Sequence, residues 1–382
     1  MPGAFDFLET EPKGSISNQN LAALGDGLQP VDAAHPYAQL TPVRVLDALA
    51  NIGLAGDGRM MALSSYENRV YQVHLEQPVQ GIAGDNPPAV VVAKFYRPGR
   101  WSDAAIAEEH AFAAELMAFE VPMIGPLRLD KDGSTLHHFD GFAFSVSPSR
   151  GGRRPELENL DTLAWIGRLL ARLHTVGSQQ TFTHRPAINS QTFGFAARDL
   201  LLAGDFLPLD VQSRWLAAFE QAMQSVDAAF AQANSSSYEG TSPIAQLRLH
   251  GDCHPGNILW TPEGQPGAGP HFVDLDDART GPAVQDFWML LSGDNRAQNT
   301  RQLGALVDGY EEFRSFDRRE LLLIEPLRTL RLVHYSAWLA QRWQDPIFPI
   351  NFPWFGSSDY WLGQAGMLEQ QVDAMQEPPL VV

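Results

Sequence analysis

Two short stretches in the C-terminal half of the sequence hold the residues whose types and spacing could do chemistry. The first reads His250-Gly251-Asp252-Cys253-His254-Pro255-Gly256-Asn257, and the second reads Phe272-Val273-Asp274-Leu275-Asp276-Asp277. A carboxylate at Asp252 can accept a hydrogen bond from an attacking hydroxyl. The amide oxygen of Asn257 and the carboxylate of Asp274 are hard ligands of the kind that Mg²⁺ prefers. We therefore expect Asp252 and Asp274 to be catalytic, with Asn257 and Asp274 holding the metal.

The spacing of the two stretches narrows the chemistry further. A His-x-Asp segment, four more residues, an Asn, and a second Asp on a strand downstream form the pattern used to transfer a phosphoryl group from ATP. His250, Asp252, Asn257 and Asp274 all fit it. The sequence thus indicates a phosphotransferase whose cofactors are ATP and Mg²⁺, in which Mg²⁺ neutralises charge on the transferred phosphate.

Two other interpretations of these stretches stay open. Turns rich in Asp, Gly and Asn often serve as helix caps or β-turns and carry no chemistry. For Asp277, the sequence favours neither this structural role nor a functional one. Cys253 and His254 could suggest zinc, but the sequence shows no second pair of soft ligands at metal spacing. Because four constrained positions agree on one mechanism, we favour the Mg²⁺ interpretation.

The elements that must position these residues follow from periodicity. Strand-like runs at Met60 to Leu63, Arg69 to Leu75 and Ala89 to Phe95, separated by turn residues, predict an antiparallel meander. A helix from about Ser102, its expected N-cap, to Phe119 and a strand-like run from Phe139 to Val146 follow. Before the meander, Thr41-Pro42 predicts an N-cap and first helical turn, and the apolar residues after it keep helical spacing: Val43, Leu46, Leu49 and Ala50. Beyond Pro148 helical spacing dominates, most clearly from Leu163 to Gly177.

This order of elements predicts the α+β class with two lobes. Together with the phosphoryl-transfer pattern of His250, Asp252, Asn257 and Asp274, it indicates a bilobal protein-kinase-like fold. We expect residues 1–40 to be a partly ordered N-terminal extension, because they show no sustained periodicity. Residues 41–147 should form a small antiparallel-sheet N-lobe that covers the nucleotide. Residues 148–382 should form a larger, mainly α-helical C-lobe that carries catalysis and substrate binding.

Composition limits the possible partners and location. The chain has 27 Lys and Arg against 45 Asp and Glu, a net charge of -18, which opposes binding to nucleic acid or an anionic membrane. Its single cysteine cannot form an internal disulfide, and the N-terminus lacks a basic start followed by an apolar core. We expect a cytoplasmic monomer with no membrane segment.

The two chemical stretches also carry a family resemblance. His250 to Trp260, followed by Phe272 to Arg279, resembles the aminoglycoside phosphotransferase and choline kinase branch of the kinase-like superfamily. Three further motifs are similar to the bacterial stress-response kinase A family within that branch: Ser65-Tyr66-Glu67-Asn68-Arg69-Val70-Tyr71, Lys94-Phe95-Tyr96-Arg97-Pro98 and Asn351-Phe352-Pro353-Trp354. The resemblance spans about Pro42 to Pro379 and implies Ser/Thr protein phosphorylation in the stress response.

The resemblance assigns roles to four more residues at the nucleotide site. It implies that Lys94 neutralises the α- and β-phosphates of ATP and that Glu109 pairs with it, with Glu108 in reserve. It places Ser65 at ATP, although the surrounding loop contains no glycine. It implies that the run from Phe144 to Pro148, with Val146, forms the hinge beside adenine.

Three functions remain to be separated. Eleven residues lie between Asp274 and Asp286, and no Ala-Pro-Glu segment follows, so a long phosphorylated activation loop is not expected. The resemblance favours a Ser/Thr protein kinase whose partner is a protein substrate, with autophosphorylation as a further reaction. A small-molecule hydroxyl kinase acting on an aminoglycoside, choline or homoserine comes second. A nucleotide-binding pseudokinase that serves as an interaction module comes third, because it would need no catalytic base.

Overall fold

The computed structural model describes residues 36–79, 87–129, 133–235 and 242–382. The predicted N-terminal extension covers residues 1–40, and its residues 1–35 lie outside the described residues. The described residues form two compact units. The helical unit comprises 36–39, 189–233 and 325–379; the mixed unit comprises the described parts of 40–188 and 234–324, with 380–382. The predicted lobe boundary after residue 147 falls inside the mixed unit, and the division into lobes stays a prediction.

The mixed unit contains a five-stranded antiparallel sheet in the order β1-β2-β3-β5-β4. Its strands are β1 (Gly56–Leu63), β2 (Arg69–Leu75), β3 (Val90–Phe95), β4 (His137–Phe139) and β5 (Phe142–Pro148). Along β3, Val91, Ala93 and Phe95 are buried in alternation with more accessible neighbours. Because successive side chains of a strand point to opposite faces, Lys94 projects from the face opposite this apolar row. The predicted meander is confirmed.

The run from Phe139 to Val146 is not one strand. It contains a sharp hairpin turn at Asp140 and Gly141, which both have positive φ, of 48° and 85°. The turn separates β4 from β5, which pair as antiparallel neighbours. A period-two apolar pattern continues across such a turn, so periodicity alone did not locate it.

One helix precedes the sheet in sequence, and a second lies between β3 and β4. Helix α1 (Pro42–Asn51) begins at the predicted cap, where the Thr41 side chain accepts from Arg44 N. Helix α2 (Asp103–Ala118) is capped by Ser102, whose side chain accepts from Ala105 N. These caps satisfy amides that have no partner within the helix.

The rest of the mixed unit surrounds the two chemical stretches. Helix α3 (Leu160–Gly177) packs against α7 (Arg296–Glu311). Two short antiparallel strand pairs adjoin the chemical stretches: β6 (Leu247–Arg248) pairs with β9 (Thr280–Gly281), and β7 (Ile258–Thr261) pairs with β8 (Gly269–Phe272). Helix α6 (Gln285–Trp288) follows β9. The two motifs therefore lie at the ends of paired strands.

The helical unit is built on aromatic packing. Its helices are α4 (Ala196–Ala203), α5 (Leu209–Asn234), α8 (Ile324–Gln341), α9 (Ile347–Asn351) and α10 (Ser358–Gln376), preceded by a π-helical turn (Ser190–Phe195). Trp215 and Trp361, both almost fully buried, meet edge to face at 5.7 Å. Within the described residues, no helix has the length and apolar character needed to cross a membrane. With its sheet and many helices, the chain belongs to the α+β class, as predicted.

Candidate active site

The 250–257 loop is held by a buried carboxylate. Asp286, with no exposed surface, accepts from the backbone amides of His250 at 2.9 Å and Gly251 at 2.8 Å. His174 Nε2 lies 3.0 Å from the same side chain and is equally buried. Helix α6 begins without a side-chain cap, so Asp286 braces the loop and does not cap the helix that carries it.

Backbone contact fixes the turn just before Asp252. Gly251 has φ +82°, and a Cβ at this position would lie 2.1 Å from the carbonyl oxygen of Asp277. Only glycine fits both the left-handed conformation and the close approach. The turn therefore joins the 250–257 loop directly to the second chemical stretch.

Asp252 and Asn257 are linked within the loop. The Asn257 side-chain nitrogen donates to the Asp252 carbonyl at 3.0 Å and lies 3.3 Å from the carboxylate Oδ2. His254 Nε2 is 3.5 Å from that oxygen. The carboxylate is one-fifth exposed, so it remains accessible to a hydroxyl group while its orientation is restricted. This arrangement suits a proton acceptor.

The metal-binding prediction fits the local geometry. Val273 N donates to the carbonyl of Asn257 at 3.0 Å, which brings Asp274 beside Asn257 at the ends of β8 and β7. Because the Asn257 nitrogen is turned toward Asp252, its amide oxygen points the other way. Asp274 is 47% exposed and adopts the left-handed conformation, with φ 62°. One amide and one carboxylate oxygen match the way Mg²⁺ is bound when phosphates supply further ligands.

The zinc alternative finds no support. Within the described residues, no group of three or more His, Cys, Asp or Glu side chains is placed to hold a metal ion. Cys253 is fully buried, and burial raises the pKa of its thiol well above the ordinary value. Zinc requires the thiolate, which this environment disfavours.

The ammonium group of Lys94 forms ion pairs with three carboxylates. Its Nζ lies 3.3 Å from Glu109, 2.9 Å from Asp274 and 3.2 Å from Asp276. Burial by itself would lower the pKa of the ammonium, but these carboxylates outweigh it and hold the pKa well above the ordinary value. Lys94 is therefore a fixed positive charge beside the candidate metal ligands.

The structure separates the two glutamates considered for Lys94. Glu109 pairs with the lysine, whereas Glu108 accepts from the backbone amides of Thr183 at 2.7 Å and His184 at 2.9 Å. The two side chains leave the helix in different directions because adjacent helical residues lie about 100° apart. Glu109 is thus the partner in this structure, and its role in nucleotide binding stays a prediction.

Sequence reasoning missed two residues at the centre of this cluster. Arg185 has no exposed side-chain surface and donates to Glu109 Oε2 at 2.7 Å and to the backbone carbonyl of Asp276 at 2.9 Å. Asp276 sits between Lys94 and Arg100; burial would raise the pKa of its carboxyl, but Arg100 and Lys94 hold it well below the ordinary value. Arg185 lies in a loop far from either motif, and no local pattern marks it.

The 64–68 loop contains Ser65 and is fixed by side chains. Ser65 Oγ accepts from Asn68 N at 3.3 Å. Arg97 holds the loop from β3: its backbone N donates to Asn68 Oδ1 at 3.1 Å, and its guanidinium donates to the carbonyls of Glu67 at 3.0 Å and Tyr66 at 3.2 Å. A loop without glycine is thereby held in one conformation. The contact of Ser65 with ATP stays a prediction.

The side chain of Val146 is buried in the sheet and is not accessible to a ligand. The residue lies opposite Ala93 in the sheet and is fully buried, and its carbonyl oxygen accepts from Leu127 N at 2.7 Å. A hinge residue contacts adenine through its backbone, so the predicted role of this strand remains untested by these contacts.

The similarity of this chain to known proteins agrees with the geometry. Residues 60–324 match the phosphotransferase enzyme family, and the chain belongs to that family. Stress response kinase A of Escherichia coli is 43% identical over 349 residues, covering 91% of this chain and 98% of that protein. Serine/threonine protein kinase RdoA of Salmonella typhimurium is 42% identical over the same shares of the two chains. The predicted resemblance to the stress-response kinase A family is confirmed.

A solved structure shows the same fold. Amicoumacin kinase hAmiN, in complex with AMP-PNP, Ca²⁺ and Ami, superimposes with a TM-score of 0.62 at 17% identity, covering 89% of this chain and 95% of that chain. The predicted kinase-like fold is confirmed. That structure contains a nucleotide analogue and a divalent cation.

Proposed function

We propose that the protein is an ATP- and Mg²⁺-dependent Ser/Thr protein kinase of the bacterial stress response, acting in the cytoplasm. The observation that carries the proposal is the set of charges around Lys94, with Glu109 at 3.3 Å and Asp274 at 2.9 Å. Kinases use such a lysine-glutamate pair to direct a positive charge toward the phosphates. A purely nucleotide-binding module would not need Asp252 as a base, so the pseudokinase alternative is less well supported.

Each proposed residue has a separate task. Lys94 stabilises the negative charge of the ATP phosphates through its ammonium group. Asp252 accepts the proton of the attacking hydroxyl as the oxygen forms a bond to the γ-phosphorus and the bond to the departing ADP oxygen breaks. Asn257 and Asp274 would hold the metal, which supplies charge neutralisation at the phosphates. Asp286 keeps the loop of Asp252 in position.

The segment after Asp274 supports activity without prior phosphorylation. It forms a single 3₁₀ turn (Leu275–Asp277) and strand β9 before helix α6 begins at Gln285. Arg185 and Arg100 already contact this segment through buried interactions. Kinases that depend on a phosphorylated activation loop use the new charge to order a mobile segment. Here arginine contacts from within the fold supply that order.

The acceptor is proposed from the relatives and needs a direct test. RdoA of Salmonella typhimurium is named a serine/threonine protein kinase, which favours a protein hydroxyl. The fold similarity to amicoumacin kinase supports a small-molecule hydroxyl as the second candidate. The short segment after Asp274 suits either acceptor.

Labelling with γ-phosphate-labelled ATP and Mg²⁺ distinguishes these candidates. We expect phosphoserine or phosphothreonine on the protein itself or on a generic basic protein, formed at least about 10²-fold more slowly by the Asp252→Asn variant as matched control. Label found only on added aminoglycoside, choline or homoserine would replace the protein-kinase proposal with the small-molecule one. ATP binding without transfer to any acceptor class would favour the pseudokinase.

A further inference from the structure

Arg100 connects two parts of the candidate site that are distant in sequence. It lies in the turn between β3 and α2, and its side chain is only 10% exposed. Its guanidinium is 3.3 Å from Glu67 in the 64–68 loop and 2.6 Å from Asp277, and it also contacts Asp276. Three carboxylates from two segments therefore converge on one arginine.

These contacts extend to the residues of the nucleotide site. Glu67 uses its other oxygen to meet Arg97 Nε at 3.2 Å, so the two arginines share this carboxylate. Asp276 is likewise shared, because its Oδ1 lies 3.2 Å from Lys94 Nζ. A continuous series of ion pairs thus leads from the 64–68 loop through Arg100 to Lys94.

Arg100 and Arg97 make different connections. Arg97 bonds to the backbone of the 64–68 loop and ties it to β3, from which Arg97 follows directly. Arg100 ties the same loop to the 274–277 segment, which holds a candidate metal ligand. A planar guanidinium with several donors can bridge carboxylates in this way, whereas an ammonium acts as a single point charge.

We propose that Arg100 is a positioning residue that holds the 64–68 loop closed over the nucleotide phosphates by coupling it to the 274–277 segment. The inference rests on the proposed ATP site. Arg100 also shares the charge of Asp276 with Lys94, which weakens the attraction between Asp276 and the Lys94 ammonium. Without Arg100, Asp276 would compete more strongly with ATP for Lys94, and the loop would lose its contact with the 274–277 segment.

The decisive measurement is the kinetic effect of Arg100→Gln. We expect the KM for Mg-ATP to rise about tenfold with a much smaller change in kcat, because nucleotide binding loses support while Asp252 is untouched. Arg100→Lys should recover part of the affinity, since the charge returns without the bridging geometry. Arg168→Gln, which removes an exposed ion pair with Glu312, is the matched control and should leave KM unchanged.

A second variant keeps the test independent of folding. Glu67→Gln removes the loop side of the bridge, together with the ion pair between Glu67 and Arg97. In the double variant with Arg100→Gln the two effects on KM should be less than additive, because both substitutions remove the Arg100–Glu67 contact. Hydrogen exchange of residues 64–68 should also become faster in both single variants. An unchanged KM for Mg-ATP in folded Glu67→Gln and Arg100→Gln would overturn the proposal, as would full additivity.

Failure of this inference can be told apart from failure of the proposed function. Calorimetry of the wild-type protein with AMP-PNP and Mg²⁺ reports nucleotide binding without any acceptor. Wild-type binding that Arg100→Gln leaves intact would reject the positioning role and leave the kinase proposal standing. A wild-type protein that binds no nucleotide would reject both.

Discussion

The 250–257 loop and the 64–68 loop are both short and both hold a side chain in place, yet they are stabilised differently. The first is fixed by backbone amides donating to a fully buried carboxylate, Asp286, and by the close approach at Gly251. The second is fixed by arginine side chains that retain slight exposure. We infer that the proposed catalytic carboxylate, Asp252, sits on a rigid support, whereas the 64–68 loop, which we propose faces the nucleotide, is held by charge and is easier to open.

The largest expected effect separates the two proposed catalytic carboxylates, Asp252 in the 250–257 loop and Asp274 just after β8. Asp252→Asn keeps the shape but loses the proton-accepting charge, so transfer should fall by about 10² to 10⁴ while Mg-ATP still binds. Asp274→Asn should weaken metal-dependent nucleotide binding itself, because it removes a charged ligand. Calorimetry of both variants with AMP-PNP, with and without Mg²⁺, measures the difference. The opposite pattern would mean that the two roles are reversed.

Removing the buried carboxylate of Asp286, which holds the 250–257 loop, should lower stability as well as activity. Asp286→Ala leaves two buried amides and His174 without their acceptor, and we expect the free energy of unfolding to fall by about 3 kcal/mol or more. Denaturant unfolding followed by fluorescence measures this change. Asp199→Ala, at an exposed carboxylate, is the control and should change stability by less than about 0.5 kcal/mol. Equal effects of the two variants on the free energy of unfolding would show that Asp286 does not contribute strongly to the stability of the fold.

Two glycines provide a matched test of the comparison. Gly251 and Gly99 both have positive φ, +82° and +80°, but a Cβ at Gly99 would meet nothing within 4 Å. Gly251→Ala should displace Asp252 and lower kcat by about 10², whereas Gly99→Ala should add only backbone strain of about 1 kcal/mol. Steady-state kinetics and thermal melting of both variants distinguish crowding from strain. Similar kcat values would show that the 250–257 loop tolerates displacement.

The last expected effect is one of pH on stability and concerns the start of α6, the helix of Asp286. Glu320 accepts from Val284 N at 2.8 Å, and burial raises the pKa of its carboxyl to about 8. Between the unfolded pKa and this value the folded state binds more protons, so stability should decrease as pH rises toward 8. Glu320→Gln should flatten this part of the curve. Unfolding of both proteins at several pH values from 5 to 8 provides the test, and equal slopes would reject the assignment.

Local patterns predicted much of the fold because each depends on neighbouring residues. The caps Thr41 and Ser102, the strand Arg69–Leu75 and a strand within the run from Ala89 to Phe95 follow from short-range sequence and agree with the structure. The helical face of α1 was less well predicted: Val43 was expected on the apolar face but is 65% exposed, whereas Val45 is buried. Which side of a short helix meets the sheet depends on residues far along the chain.

The choice among the glutamates of α2 shows the same limit. Glu108, Glu109 and Glu115 all lie on one helix, and sequence reasoning preferred Glu109 only through the resemblance. In the structure each has a different partner: backbone amides for Glu108, Lys94 and Arg185 for Glu109, and Arg248 at 2.6 Å for Glu115. Helix rotation relative to β3 decides these pairings, and that rotation is set by packing.

The sequence by itself determined the chemistry that is possible at this site. Asp252, Asn257 and Asp274 were recognisable because their spacing is local and their oxygen atoms suit a phosphate-bound metal. Only the tertiary structure decided what holds them: Asp286 beneath the loop, Arg185 beside Glu109, and Arg100 between Glu67 and Asp276. These contacts join residues separated by 33 to 176 positions. No periodicity links such distant residues, so their contacts arise only when the chain has folded.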